Sequence, residues 1–287
     1  MPTATSSFGS GKRENHDAST FYGRRIHPVT PPRDPGRVQD PPLQILDTLH
    51  CQSSEAMAQI PDGCVALMVT SPPYNVGKEY DEDLSLDEYL GLLEAVFDET
   101  YRVLEPGGRV AVNVANLGRR PYLALNHHVA RLLGQTGFQL RGEVIWQKAK
   151  GAGGSTAWGS WLSAKNPTLR DVHEYVVVAS KGTFARQRRG DDTIGRDEFL
   201  EATLSVWNIP SESARRVGHP APFPVALPRR LIEMYTFAGD LVLDPFIGAG
   251  ATALAASATG RHYIGYDTNE EYLEIARARL AAVVAAG

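Results

Sequence analysis

Six apolar residues, Cys64-Val65-Ala66-Leu67-Met68-Val69, end abruptly at Thr70-Ser71-Pro72-Pro73-Tyr74. A run so short and so uniformly apolar reads as a strand buried on both faces, which calls for a parallel sheet covered by helices. Two consecutive prolines cannot continue a central strand, because neither has the N–H that the ladder needs. The Pro-Pro-Tyr segment is therefore a loop at the strand's C-terminal edge, where open α/β sheets bind their ligands. The chain repeats this alternation. Ser85 and Glu88 make a capping box ahead of Tyr89, Leu93, Val96, Thr100 and Leu104 at helical spacing, with Pro106-Gly107-Gly108 as the expected stop. Val110, Val112 and Val114 then alternate with Arg109, Ala111 and Asn113 as in a strand. Further on, Arg229–Phe237 reads as helix, Leu241-Val242-Leu243 as strand, and Ala251–Thr259 as a helix closed by Gly260. Tyr263–Tyr266 is a strand ending at Asp267, and a last helix carries Leu273, Ala276, Leu280 and Val283 on one face. The fold class is α/β: a doubly wound, mostly parallel sheet.

The 287 residues suffice for one large α/β domain with a smaller inserted module. Residues 1–40 are rich in Ser, Pro, Gly and charge and keep no helical or strand period, so a flexible basic, Pro-rich tail is expected there. Its Lys12-Arg13 and Arg24-Arg25 steps make a DNA-gripping arm the sharper alternative. The α/β pattern occupies 41–148 and resumes over 217–287. Between them, 149–216 is loop-rich: it opens with Gly151-Ala152-Gly153-Gly154-Ser155, holds Trp158 and Trp161, and gathers Arg186, Arg188 and Arg189. One apolar run inside it, Tyr175–Ala179, belongs with the sheet.

Cys51 and Cys64, without CxxC spacing, make a disulfide scaffold or a structural metal unexpected. His127-His128 falls in a helical stretch with no acidic or cysteine partner, and reads as a solvated or core-edge pair. No apolar stretch reaches the ~18 residues of a membrane span, and the N-terminus has no signal-peptide core. A soluble, cytoplasmic protein is the expectation. A net charge of −4 and a pI of about 6.1 argue mildly against nucleic-acid binding, although local charge is what decides.

Two segments carry chemistry. The first is Asp244-Pro245-Phe246-Ile247-Gly248-Ala249-Gly250, between a strand and a helix. Its glycines let the backbone approach a ligand closely, and the N–H groups of the helix start can face it. Asp267 follows 23 positions after Asp244, at the end of the next strand. An acid at about that spacing hydrogen-bonds a ribose hydroxyl in nucleotide-binding folds, so an adenosine-containing cofactor is expected. The pattern alone does not choose the cofactor, since Gly248, Gly250 and Ala253 also satisfy a loose dinucleotide fingerprint. A purely structural tight turn is the bland alternative.

The second segment is Ser71-Pro72-Pro73-Tyr74. An exocyclic amine on a base is a poor nucleophile because its lone pair is delocalised into the ring. Acceptors aimed at its N–H groups pull the nitrogen toward tetrahedral geometry and free the pair. The Ser71 hydroxyl and the Pro72 carbonyl can serve, and Tyr74 can stack on a base taken out of the duplex. The bland alternative is a Pro-Pro turn with a packed tyrosine.

Four motifs in order are Val69-Thr70-Ser71-Pro72-Pro73-Tyr74-Asn75, Tyr101–Gly108, His219-Pro220-Ala221-Pro222-Phe223-Pro224, and Asp244-Pro245-Phe246 with its glycines. Over roughly residues 43–280 the chain resembles the amino-methylating DNA methyltransferases of the beta arrangement, in which the catalytic motif precedes the cofactor motif. The resemblance implies a seven-stranded methyltransferase sheet in circularly permuted order, with S-adenosylmethionine as cofactor and double-stranded DNA as partner. It implies that Asp244, Pro245, Phe246, Gly248 and Gly250 line the methionine end of the cofactor, that Asp267 holds its ribose, and that Phe223 and Pro224 help enclose it. Ser71, Pro72, Pro73 and Tyr74 become the catalytic loop. Serine at the first catalytic position goes with cytosine N4 as the target, in a site-specific DNA methyltransferase that acts by direct in-line transfer to a flipped base. Aspartate or asparagine there goes with adenine N6, which stays the alternative; a non-catalytic DNA-binding protein that keeps the cofactor pocket is the second. Where many relatives carry Gly-Asp, this chain has Cys51-Gln52, and no role is carried over to that pair.

The family places target recognition between Trp146 and His219. Within that stretch Arg186, Arg188 and Arg189 are candidates for phosphate or guanine contacts, and Trp158 and Trp161 for stacking or wedging in DNA. A solvated face and ordinary packing explain the same residues. A homodimer and a cognate restriction endonuclease are admitted as partners beside the DNA.

Overall fold

The computed structural model describes residues 33–74, 84–118, 121–148, 158–212, 217 and 223–286. Among them, one sheet of eight strands organises the chain. The strands are β1 (Thr48–Cys51), β2 (Val65–Thr70), β3 (Leu104–Val114), β4 (Phe138–Gln147), β5 (His173–Lys181), β6 (Val206–Asn208), β7 (Leu241–Asp244) and β8 (His262–Asp267). They lie in the order β1-β8-β7-β2-β3-β5-β4-β6. Only β5 runs against its neighbours; every other pairing is parallel. The helices are α1 (Leu86–Val103), α2 (Leu125–Thr136), α3 (Arg196–Ala202), α4 (Ala226–Tyr235), α5 (Ala251–Ala258) and α6 (Glu270–Ala286).

β2 is buried at every position, as its apolar run requires. Strand alternation sends Leu67 and Val69 to one face and Met68 to the other. On the Met68 face, Leu93 and Phe97 of α1 and Leu133 of α2 close the core. On the opposite face the cover comes from Leu227 and Leu231 of α4 and Ala255 of α5. The sheet is thus wound on both sides, and the capping box that starts α1 is present: Ser85 Oγ accepts from Glu88 N, and Glu88 Oε2 accepts from Ser85 N.

The topology places the site. β2 pairs with β3 on one side and with β7 on the other. The chain leaves β2 in one direction, and the C-terminal strands later fill the other. Ligands bind outside the strand ends at such a reversal. Here the ends are Thr70 and Asp244, which are bonded to each other, Thr70 Oγ1 donating to Asp244 Oδ1 at 2.6 Å.

Several elements differ from the sequence reading. The eighth strand, β6, adds to the seven expected because Val206–Asn208 pairs with the end of β4 and buries Trp207, whose indole N–H donates to the Ala202 carbonyl. Helix α1 ends at Val103 rather than at Pro106-Gly107-Gly108, and β3 begins at once. A register shift between Val65 and Leu67 absorbs the irregular residues. Gly107 has φ +82°, and a Cβ there would lie 2.3 Å from the Ala185 carbonyl oxygen. The helix read as Arg229–Phe237 runs Ala226–Tyr235, since the Phe237 N–H donates instead to Asp240 Oδ2.

The expected tail also ends sooner than residue 40. One compact unit spans Arg33–Gly287. Arg33 pairs with Asp98 at 2.6 Å, its carbonyl accepts from the Tyr101 hydroxyl, and Gln39 N–H donates to the Gly63 carbonyl. Lys12-Arg13, Arg24-Arg25 and the Gly151–Ser155 stretch lie outside the described residues. Among the described residues no helix is long and apolar enough to cross a membrane, and no group of three His, Cys, Asp or Glu side chains could hold a metal ion. His127 and His128 sit on α2.

Candidate active site

A cavity of about 1140 Å³ opens at the C-terminal edge of the sheet. Ser71, Pro72, Pro73 and Tyr74 line it on the β2 side, and Asp244, Pro245, Phe246, Gly248 and Asp267 on the β7–β8 side, with Phe223 also on its wall. The two motifs, far apart in the chain, meet in one space because β2 and β7 are neighbours. Gly250 and Pro224 stand behind this lining. Gly250 caps α5 with φ +80°, and a Cβ there would come 2.8 Å from the Ala276 Cβ. Pro224 is buried at the start of α4, where its carbonyl accepts from Leu227 N.

Asp244 is almost fully buried and all its bonds point inward. It accepts from Thr70 Oγ1 at 2.6 Å, Thr252 Oγ1 at 2.6 Å and the Phe246 N–H at 3.1 Å. Burial pushes its pKa up to about 6, against the pull of these three donors. The folded pKa thus lies above the ordinary 3.8, so between about pH 4 and 6 the folded protein binds more protons than the unfolded chain. Asp244 therefore stabilises the fold most below that window, and the contribution is lost as pH rises through it. Asp244→Asn should remove about 3 kcal/mol of this pH dependence. Denaturant unfolding of both proteins at pH 4 and pH 7 checks it, and identical pH slopes would refute the assignment.

Asp267 ends β8 and braces the glycine turn. Its Oδ2 accepts from Gly248 N and its Oδ1 from Asn269 N, each at 2.9 Å. Burial raises its pKa, and the backbone donors at Asn269, Gly248 and Thr268 oppose the rise.

At the other end of the cavity lies a polar network that sequence reasoning missed in part. Ser71 Oγ is 2.9 Å from the Tyr74 hydroxyl, which donates to Glu174 Oε2 at 3.0 Å. Asn113 Nδ2 reaches the same Glu174 oxygen at 2.6 Å and the Tyr74 hydroxyl at 3.0 Å. Lys148 pairs with the other carboxylate oxygen, Glu174 Oε1. The Asn113 Oδ1 acceptor is buried and has no hydrogen-bond partner among the described residues. Burial first, and then the Glu174 charge, raise the Tyr74 pKa well above its usual value, so the phenol keeps its proton. Asn113, Lys148 and Glu174 were not singled out in the sequence. The available signal was a polar residue within each of two buried strands, Asn113 inside the Val110–Val114 run and Glu174 just before the Tyr175–Ala179 run.

The arginine cluster has a different place from the one expected. Arg186 pairs with Glu105 at 2.6 Å and with Asp240 at 2.5 Å, and Arg188 pairs with Glu105 and Asp40. The Arg186 side chain is only 9% exposed. Glu105 opens β3 and Asp240 precedes β7, so these arginines stand at the N-terminal edge of the sheet, opposite the cavity. Arg186 is a buried strut rather than a DNA contact, and Arg188 is taken up in the same network. Arg189 beside them is exposed.

The tryptophans stand on the cavity's own edge. β4 ends and β5 begins there, and the Lys148 N–H donates to the Val172 carbonyl at the root of the excursion between them. Trp158 and Trp161 pack at 4.8 Å between ring centroids, and Trp158 is held by its carbonyl bond from Thr168 N. Trp161 is 65% exposed, and Leu162 beside it is 89% exposed with φ +49°.

Fold, strand-end cavity and paired motifs define a cofactor-dependent transferase of the α/β class. The chain belongs to the N6/N4 DNA methylase family, whose model matches residues 65–278. It is 29% identical over 252 residues to the Type II methyltransferase M.ScaI of Streptomyces caespitosus, covering 81% of this chain and 80% of that protein. It is 28% identical over 269 residues to M.MthZI of Methanothermobacter thermautotrophicus, covering 81% and 76%. Among solved structures, the DNA modification methylase TTHA0409 of Thermus thermophilus, complexed with S-adenosyl-L-methionine, matches with a TM-score of 0.66 at 27% identity over 82% of this chain and 93% of that one. The cytosine-N4-specific PvuII DNA methyltransferase shares the fold, with a TM-score of 0.64 at 21% identity over 80% and 84%.

Proposed function

We propose that this DNA methyltransferase moves a methyl group from S-adenosylmethionine to N4 of a cytosine flipped out of duplex DNA. The observation that carries the reading is Ser71 at the cavity mouth, a hydroxyl at the first catalytic position, held by Tyr74 and opposite the glycine turn. The cofactor supplies an electrophilic methyl on a sulfonium, and the residues around the cavity fit it. Phe223 and Phe246 offer apolar walls, the Gly248–Gly250 turn permits close backbone approach, and Asp267 stands where a ribose hydroxyl would meet it.

The protein's part is positioning and charge. Ser71 Oγ and the Pro72 carbonyl accept from the cytosine amine, and Tyr74 supports the base by stacking. Nitrogen attacks the methyl directly, so no covalent enzyme intermediate is needed. The target-recognition region is assigned to 149–216, and DNA contact within it to the Trp158–Leu162 turn, which rises from the same sheet edge as Ser71. Exposed Trp161 and Leu162 can enter or flank a base step there, with Lys165 and Arg170 nearby in the chain for phosphate. The Type II names of the relatives support a restriction-modification setting.

Incubation of mixed-sequence duplex DNA with methyl-labelled cofactor, followed by digestion, tests the base. Label should travel with deoxycytidine. Label with deoxyadenosine would replace the cytosine reading by adenine N6.

A further inference from the structure

Ser71 can help an amine attack only if its oxygen presents a lone pair to the amine N–H, and a hydroxyl is free to point the wrong way. The direction is fixed three residues further along the network. Glu174 is buried beside β3 and paired with Lys148, and its carboxylate accepts without donating. Tyr74 therefore spends its single proton on Glu174 Oε2, at 3.0 Å. With that proton committed, the 2.9 Å contact between Ser71 and Tyr74 requires Ser71 to donate. The serine proton points away from the incoming amine, and the remaining lone pairs face the cavity. Asn113 reinforces the order, since its Nδ2 donates to Glu174 at 2.6 Å and lies 3.0 Å from the Tyr74 oxygen.

We propose that Glu174 is a positioning residue for methyl transfer: through Tyr74 it orients the Ser71 hydroxyl as an acceptor for the target amine. This rests on the methyltransferase reading above and adds to it a residue outside the catalytic loop. Lys148 fixes Glu174 in turn, by holding Oε1 so that Oε2 meets the two donors.

Glu174→Gln separates direction from shape. Its amide has one accepting and one donating end. The carbonyl end is drawn to the Lys148 ammonium, which leaves the NH₂ facing Tyr74. Tyr74 then accepts, turns its own proton toward Ser71, and the chain reverses. Asn113 can follow by exchanging its amide ends, so the fold has a way to accommodate the change.

The experiment is single-turnover methyl transfer to duplex DNA with saturating S-adenosylmethionine, on wild type, E174Q, Y74F and the double variant, with cofactor affinity measured on each. E174Q should slow transfer about tenfold, the scale of one lost hydrogen bond, with cofactor affinity unchanged within about twofold. In the Y74F background, where the connecting oxygen is gone, E174Q should cost nothing further. An E174Q effect of equal size in both backgrounds would overturn the inference, because Glu174 would then act without Tyr74. A wild-type rate for E174Q would overturn it as well. Methylated adenine as product, with the same loss of effect in the Y74F background, would overturn the cytosine reading and leave the role of Glu174 standing.

Discussion

Asp267→Ala lowers S-adenosylmethionine affinity about hundredfold in calorimetric titration, the scale of lost hydrogen bonds to a charged group. The carboxylate has two tasks at the end of β8. One is the ribose hydroxyl. The other is the glycine turn itself, through Gly248 N on Oδ2 and Asn269 N on Oδ1. Alanine leaves both backbone donors without their acceptor and lets the turn relax away from the ligand. Asp267→Asn keeps one accepting oxygen and the shape, so its affinity should fall between the two. Unchanged affinity for Asp267→Ala would remove Asp267 from the cofactor site.

Tyr74→Ala lowers the single-turnover rate about hundredfold while cofactor affinity stays within about twofold, since the ring supplies stacking to the flipped base, worth about 1–3 kcal/mol when an aromatic is truncated. Its hydroxyl also links Ser71 to Glu174. Both contributions act on the base and its amine, and neither touches the glycine turn, which is why rate and affinity separate. A fully active Tyr74→Ala protein would place the base elsewhere in the cavity.

The parts of the molecule legible in the sequence are those written over short stretches. The Cys64–Val69 run, its Pro-Pro end, the Ser85–Glu88 cap and the Asp244–Gly250 turn each carry their own physics locally, and each stands in the structure where its local pattern indicates. The meeting of Asn113, Lys148 and Glu174 could not be read that way. It depends on β5 inserting, reversed, between β3 and β4, which sets Asn113 opposite Val176 and Trp146 opposite Glu174. Nothing near any of the three residues in sequence announces that register. The arginine cluster misled for a related reason. Arg186, Arg188 and Arg189 look like a free basic patch until Glu105 and Asp240, 81 and 54 residues from Arg186, arrive to take up the charge. An isolated stretch of positive charge says little about where its counter-charges will fold.

The most direct measurement is the mass and fragmentation of the modified nucleoside recovered from duplex DNA after incubation with this protein and S-adenosylmethionine. Ser71 as an amine acceptor predicts N4-methyldeoxycytidine. Recovery of N6-methyldeoxyadenosine or of 5-methyldeoxycytidine in its place would contradict it.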